Sequence, residues 1–319
     1  MTETLMTETF AVSVIIPTYK HRDFVLATLE SVFAQTFADY EVIVINDGSP
    51  DDTAELLRPL AEAGRIRYIE QENQGQSAAR NRGISESRGE FIALLDDDDL
   101  WPPDKLEWQV KALRENADAV MVYGGASLVE TQFVLTKGDQ GEHRLHLCKE
   151  ASVGSAYEEF LVENPTSSPG QTLMRADAVK QLHGFDEKIW GADDYDLYVR
   201  LSKRGKFIYH PRLALYYRLH ADNASKNFRR HYANVCAVRR KHLGQYPFAS
   251  DNKLWLSTYQ HWRGAFLNAM LSEINLCIDT GNKAKGERIW RWALLMPPRR
   301  TQLRYMYHLL RKLRRLDAV

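Results

Sequence analysis

Nowhere in the 319 residues is there an uninterrupted apolar run approaching the roughly 18 residues that a membrane-spanning helix needs. The first ten residues lack the basic and apolar regions of a secretory leader, so a cytoplasmic chain is expected. Cysteine is scarce. Cys148, Cys236 and Cys277 are too few and too scattered for a disulfide framework or a zinc site, and they read as free thiols. Repeats and low-complexity tracts are missing too. With 44% hydrophobic and 26% charged residues, a disordered chain, a collagen and a coiled-coil rod are excluded. A net charge is also lacking, since 42 basic residues meet 42 acidic ones. That balance conceals an asymmetry. Residues 1–220 hold 23 Lys and Arg against 36 Asp and Glu, whereas 221–319 hold 19 against 6. An acidic body therefore carries a basic tail region, and such tails often meet anionic surfaces.

What is present begins with alternating strands and helices. Residues 12–16 (VSVII) form a β-branched run that stops at Pro17, a buried strand. Apolar residues then recur with helical spacing at Phe24, Leu26, Leu29, Val32 and Phe33. Residues 40–46 (YEVIVIN) form a second strand that ends in turn formers, after which Asp51 or Asp52 can cap a helix through Leu60. Residues 66–70 are a third strand. Residues 76–87 are a helix interrupted at Gly83, and residues 90–95 (EFIALL) a fourth strand running into four aspartates. This alternation predicts an α/β fold with a mostly parallel sheet. Ligands of such sheets bind at the carboxyl ends of the strands. Pro17-Thr18-Tyr19, Asn46-Asp47-Gly48 and Asp96-Asp97-Asp98-Asp99 should therefore face one crevice. A strand is expected at 120–124, then irregular chain to 169, a brief strand at 173–174, a helix over 194–203 and strands at 207–209 and 214–219. Beyond His220 the spacing is helical over roughly 228–243, 253–279, 284–295 and 301–316.

Four consecutive aspartates repel one another unless something neutralises them. A helix cap formed by Asp99 is one explanation. Placement directly after an apolar strand favours another, a magnesium or manganese ion with oxygen ligands that bridges substrate phosphates. A nucleoside diphosphate or a similar molecule is the implied ligand.

Residues 14–19 (VIIPTY) and 44–49 (VINDGS), with Asp51 close behind, resemble the opening of an inverting family 2 glycosyltransferase. Residues 74–83 (QGQSAARNRG), 95–99 (LDDDD), 191–197 (GADDYDL) and 217–220 (YRLH) are similar to later segments of that family, in its order and spacing. The likeness covers about residues 12–220. It implies a GT-A type, Rossmann-like sheet flanked by helices. Position by position, it implies Pro17, Thr18 and Tyr19 around the nucleobase and Asp47 on the base or ribose. It places Arg80 on the base or diphosphate, Asp96 on the ribose or sugar, Asp97 beside it on the donor side, and Asp98 on the metal. Asp194 becomes the catalytic base, and His220 sits at the metal or diphosphate. Asp193, Trp190 and Arg218 support the acceptor side. Two positions depart from the family: Lys20 stands where Asn is usual, and Asp193 where Glu is usual. The run also offers two registers, Asp96-x-Asp98 and Asp97-x-Asp99. Independently of the resemblance, a single displacement needs one carboxylate cluster for the metal and another for the base. A cap at the start of a helix is the other reading of Asp193-Asp194.

Residues 299–319 hold seven Lys and Arg and one acid, with Leu303, Met306, Tyr307, Leu310 and Leu313 at helical spacing. This is the pattern of an interfacial helix on an anionic membrane; a helix packed on the body with a solvated basic face is the alternative. Aromatic stacking platforms for nucleic acid are not evident. Taken together, a catalytic domain over 1–225 and a helical extension over 226–319 are expected. The expected activity is metal-dependent transfer of a sugar, most simply UDP-linked, to a saccharide or lipid-linked acceptor in surface polysaccharide assembly, at the inner face of the plasma membrane. A nucleotidyltransferase should carry a Gly- and Lys-rich loop where Pro17-Thr18-Tyr19-Lys20 stands. A non-catalytic, membrane-associated adaptor that binds nucleotide sugars is the other rival, against which Asp98 and Asp194 argue.

Overall fold

The structure is a computed structural model and describes residues 9–131, 145–146, 156–189, 191–220, 228–245, 251–295 and 300–315. The chain divides into two compact units. One comprises Met1–Phe160 with Asn164–Asn223, the other Leu161–Glu163 with Ala224–Val319.

The first unit is built on one sheet. Strand β1 (Phe10–Thr18) lies between β2 (Tyr40–Asn46) and β4 (Gly89–Leu94), and β3 (Arg67–Glu70) pairs with β2, all in parallel. Strand β7 (Thr172–Arg175) joins β4 and β5 (Ala119–Glu130) by antiparallel pairing, β6 (Leu145–His146) pairs antiparallel with β5, and β8 (Lys206–Leu219) pairs parallel with β5. Six of the eight strands therefore run one way, against β6 and β7. Thr18 is in register with Asn46, and Ile15 with Leu94, so three polar strand ends reach the same edge. Buried side chains alternate across β1. Val12, Val14 and Ile16 pack with Phe91, Ala93 and Trp101 in one core, and Ile43, Ile45 and Ala79 form a second core.

Helices α1 (Arg22–Phe33), α2 (Thr53–Glu62) and α3 (Gln76–Glu86) supply the crossovers. Contrary to expectation, α3 is not interrupted at Gly83. A β-carbon there would come 2.3 Å from the Ile15 side chain, so glycine permits close packing of the helix on β1. Helices α4 (Lys105–Glu115), α5 (Ala156–Val162) and α6 (Ala176–Gln181) were not anticipated; α7 (Asp193–Leu201) was. The expected strands at 207–209 and 214–219 are one strand, β8, continuous past Pro211, and β5 runs six residues beyond Gly124 to Glu130.

In the second unit, α8 (Phe228–Leu243), α9 (Asn252–Asp279), α10 (Lys283–Ala293) and α11 (Arg300–Arg315) follow the helical spacing of the sequence closely. Gly286 lies where α9, α10 and α11 meet: a β-carbon there would be 2.9 Å from Leu313 and 3.3 Å from Cys277. The stripe read on α11 is divided by this packing. Met306 and Leu313, with Leu309, are buried against the unit, whereas Leu303 and Tyr307 are exposed and Leu310 lies between. Two of the five residues expected on an outer apolar face are thus core. No helix of the described residues is long and apolar enough to cross a membrane.

Candidate active site

The four aspartates follow β4 and alternate in exposure. Asp97 and Asp99 are buried, while Asp96 and Asp98 are half-buried. The inward pair is held by the body. Asp97 accepts from His21 Nδ1 at 2.7 Å and from the Tyr19 backbone N–H at 3.3 Å, which ties the end of β1 to the run. Asp99 accepts from the Arg218 backbone N–H at 3.0 Å. Thr28 Oγ1 donates to the carbonyls of both residues. Asp99 does not cap a helix, because α4 starts only at Lys105. Burial raises the carboxyls of Asp97 and, more strongly, Asp99 above the ordinary range. The hydrogen bond to Asp97 raises His21 to about 9.

The outward pair meets residues from elsewhere. Asp98 Oδ2 and His220 Nε2 are 2.7 Å apart. Asp96 Oδ1 accepts from Arg80 Nη2 at 2.5 Å and from Gln76 Nε2 at 3.1 Å, and its Oδ2 accepts from Ser168 Oγ at 3.3 Å. Arg80, buried on α3, also donates from Nη1 to Asp193 Oδ2 at 2.9 Å, as Ser77 Oγ does at the same distance. One guanidinium therefore joins the carboxylate run after β4 to the acidic turn that opens α7. Burial opposes the charge on Arg80, but Asp96 and Asp193 outweigh it and hold the arginine more firmly protonated than usual.

Asp193, Asp194 and Asp196 occupy the first turn of α7, where the helix dipole favours negative charge. Asp193 and Asp196 are buried, the latter paired with Arg200 Nε at 2.8 Å. Asp194 is half-buried. Burial and the neighbouring Asp193 push its carboxyl up to about 7, against a downward pull from Arg80. The helix is capped by Ala192, without a side-chain cap bond.

Asp47 faces inward as well. Its carboxylate accepts from the backbone N–H groups of Gln74 and Gly75, at 3.0 and 2.8 Å, and from Gln71 Nε2 at 2.8 Å, fixing the loop that leads into α3. Pro17 and Thr18 are buried at the end of β1 and Tyr19 is exposed. Lys20 has a φ of 63°, which explains why a residue tolerant of left-handed backbone such as Asn suits that position. Arg218 is buried, its guanidinium 5.1 Å from the Phe24 ring, and burial lowers its pKa. The structure thus brings Tyr19, Arg80, Asp96, Asp97, Asp98, Asp193, Asp194, Arg218 and His220 into one connected cluster, with Asp47 at the start of the arginine's helix. Trp190 lies outside the described residues.

Sequence reasoning missed His21, Gln76, Ser77 and Ser168. Gln76 and Ser77 lie inside the segment that carries Arg80, one helical turn before it, so spacing pointed to them. His21 and Ser168 had no local signal.

Asp98 and His220 offer one oxygen and one nitrogen donor. Among the described residues, no group of three or more His, Cys, Asp or Glu is arranged to hold an ion. Two donors fit a hard cation that keeps waters and shares phosphate oxygens with a substrate.

Comparison with known proteins agrees with this architecture. The fold is that of GT-A type glycosyltransferases. It superposes on Staphylococcus aureus TarS 1–349 in complex with UDP-GlcNAc with a TM-score of 0.60 at 18% identity, covering 82% of this chain and 72% of that one. For the mannosyltransferase PcManGT of Pyrobaculum calidifontis, in complex with GDP-Man and Mn2+, the TM-score is 0.58 at 18% identity, covering 98% and 87%. Residues 13–151 match the family model of glycosyl transferase family 2. An uncharacterized glycosyltransferase of Rickettsia bellii is 34% identical over 60% of this chain and 26% of its own length. The chondroitin synthase of Pasteurella multocida is 29% identical over 76% of this chain and 24% of its own. The chain spans about a quarter to a third of the length of the first curated relatives it matches.

Proposed function

We propose that this chain is an inverting, metal-dependent glycosyltransferase that moves a sugar from a nucleoside diphosphate, most simply UDP, to a hydroxyl of a saccharide or lipid-linked acceptor in surface polysaccharide assembly. One observation carries the reading. Arg80 binds Asp96 and Asp193 at once, which sets a half-buried Asp194 beside the strand-end carboxylates without merging the two clusters.

In this reading the exposed Tyr19 and the end of β1 receive the base, and Asp96, braced by Arg80, Gln76 and Ser168, orients the ribose or sugar. Asp98 and His220 would hold a magnesium or manganese ion, which would supply positive charge to neutralise the diphosphate. Asp194 takes the proton of the acceptor hydroxyl. With a pKa of about 7 it is ionised under mildly alkaline conditions and basic enough to be effective. Segment 299–319 is the part of the chain that meets an anionic membrane surface, at the cytoplasmic face.

Thermal shift against a set of nucleotide sugars, with and without manganese, tests the donor. Asp194→Asn tests the chemistry: it keeps donor binding and lowers transfer at least about a hundredfold, the usual effect of losing a general base. Near wild-type transfer in that variant sinks the assignment. Donor binding with no turnover in the wild type favours the adaptor reading instead.

A further inference from the structure

The helical unit carries exposed apolar residues to which the reading above gives no role in transfer. At the end of α10, Trp292, Leu294 and Leu295 are 36%, 60% and 70% exposed; on α11, Leu303 and Tyr307, one turn apart, are 52% and 65% exposed. These are not residues left over from packing, because Ala293, Met306, Leu309 and Leu313 hold the same two helices against the unit. Exposed Arg288, Arg291, Arg311 and Lys312 accompany them. From 288 to 316 the sequence has nine Lys and Arg and no Asp or Glu.

Each half of this pattern limits the partner. Bare leucines beside Trp and Tyr contribute nothing to a purely ionic contact, so a nucleic acid leaves the apolar half unexplained. A second copy of the same face would oppose the exposed Arg288, Arg291, Arg311 and Lys312 with four more positive charges. An anionic lipid surface accommodates both halves. Leucine and aromatic side chains enter the boundary between headgroups and acyl chains, and arginines meet the phosphates.

We propose that the exposed face of α10 and α11, centred on Trp292, Leu294, Leu295, Leu303 and Tyr307, is a peripheral docking face for an anionic bilayer. The proposal rests on the membrane reading given above and deepens it. The contact is moved from a terminal stripe that is partly core to the exposed residues at the end of α10 and on α11, which are separate from the core. It also explains why truncation is the wrong test, since removing α11 strips Met306, Leu309 and Leu313 from the unit.

Co-sedimentation of the full chain with vesicles of phosphatidylglycerol and phosphatidylcholine decides the matter. Wild type is expected to bind the mixed vesicles, to bind phosphatidylcholine alone several-fold more weakly, and to lose part of its binding in high salt. The double variant Leu294→Ser/Leu295→Ser is expected to bind about tenfold more weakly with unchanged melting and an unchanged nucleotide-sugar thermal shift. Arg311→Glu/Lys312→Glu is expected to lose the preference for phosphatidylglycerol. If wild type fails to bind, the membrane reading falls and this inference with it. If wild type binds and the leucine variant binds equally well, the membrane reading stands and this face is wrong. If sedimentation velocity shows a dimer that the leucine variant dissolves, the face joins two copies and the lipid assignment is overturned.

Discussion

Replacing Arg80 with Met probes the whole site through one side chain. Met keeps much of the aliphatic volume beside the Phe185 ring, 5.3 Å from the guanidinium, but has no donors. Two charge-assisted bonds vanish, at 2.5 Å to Asp96 and 2.9 Å to Asp193. Such bonds are worth about 1.5–3 kcal/mol each, and breaking a buried pair by removing one partner costs about 3–5 kcal/mol. A loss of about 4 kcal/mol is expected at pH 8, a large share of the roughly 5–15 kcal/mol that keeps a domain folded.

The pH dependence separates this cause from poor packing. Asp194 has a folded-state pKa raised to about 7, so its ionisation costs stability as pH rises from about 4 through 7. Arg80 limits that cost, because it lowers the Asp194 pKa. Without Arg80 the pKa moves higher still, and the variant goes on losing stability above pH 7 where wild type has levelled off. Urea unfolding at pH 5 and pH 8 should therefore give a deficit that is larger at pH 8. In the transfer assay, the acid limb of the rate profile should move above pH 7. A deficit below about 1 kcal/mol, or the same deficit at both pH values, refutes the reasoning.

Asp98→Asn should abolish the manganese-dependent part of donor binding and leave melting unchanged, since a half-buried carboxylate leaves a crowded acidic run; unchanged binding by calorimetry would assign the ion elsewhere. Lys20→Asn should raise stability by about 0.5 kcal/mol, because Asn adopts the left-handed backbone at lower cost, and an unaltered melting temperature counts against strain there. Lys105 is fully buried on α4, donating to Gln109 Oε1 at 2.6 Å and the Thr172 carbonyl at 3.2 Å, and burial alone holds its pKa well below the lysine range. A depressed lysine pKa means that wild type loses stability as pH falls below the ordinary lysine range, so Lys105→Met should gain relative to wild type between pH 10 and pH 7. A difference independent of pH would show that the ammonium is not penalised.

Legibility followed the range over which the chain acts on itself. Strands β1, β2 and β4 could be read because each is an apolar run closed by turn formers, and parallel pairing then carried three polar ends to one edge. The helices of the second unit could be read from period alone. Helix α4 shows the same kind of signal at Leu106, Val110 and Leu113, yet Pro102-Pro103 in front of it draws attention to a turn and not to a helix start. The two registers of the aspartate run could not be separated from sequence. What separates them is side-chain direction, with His21 and the Arg218 backbone taking Asp97 and Asp99 inward. Both partners are remote in the chain, at 76 and 119 residues' distance.

The least legible part of the site is the part that fixes it from behind. Gln171 Oε1 accepts from the Ser167 and Ser168 backbone N–H groups, and its Nε2 donates to the Gly124 carbonyl at 2.7 Å. Gln109 Nε2 donates to the Gln171 carbonyl at 2.9 Å, Trp101 Nε1 to the Gly170 carbonyl at 2.9 Å, and Lys105 to the Thr172 carbonyl. Three consecutive carbonyls are thus held by side chains from α4 and the chain just before it. The result at the site is one hydroxyl, Ser168 Oγ, on Asp96. A polar residue buried to this degree costs folding energy unless each of its groups finds a partner. Lys105 and Gln109 find theirs only because the turn over 168–172 is already in place, and the turn is in place only because they hold it. Such mutual dependence has no period and no spacing that a sequence can display. It makes the position of the Asp96 carboxylate a property of the core, set together with the fold.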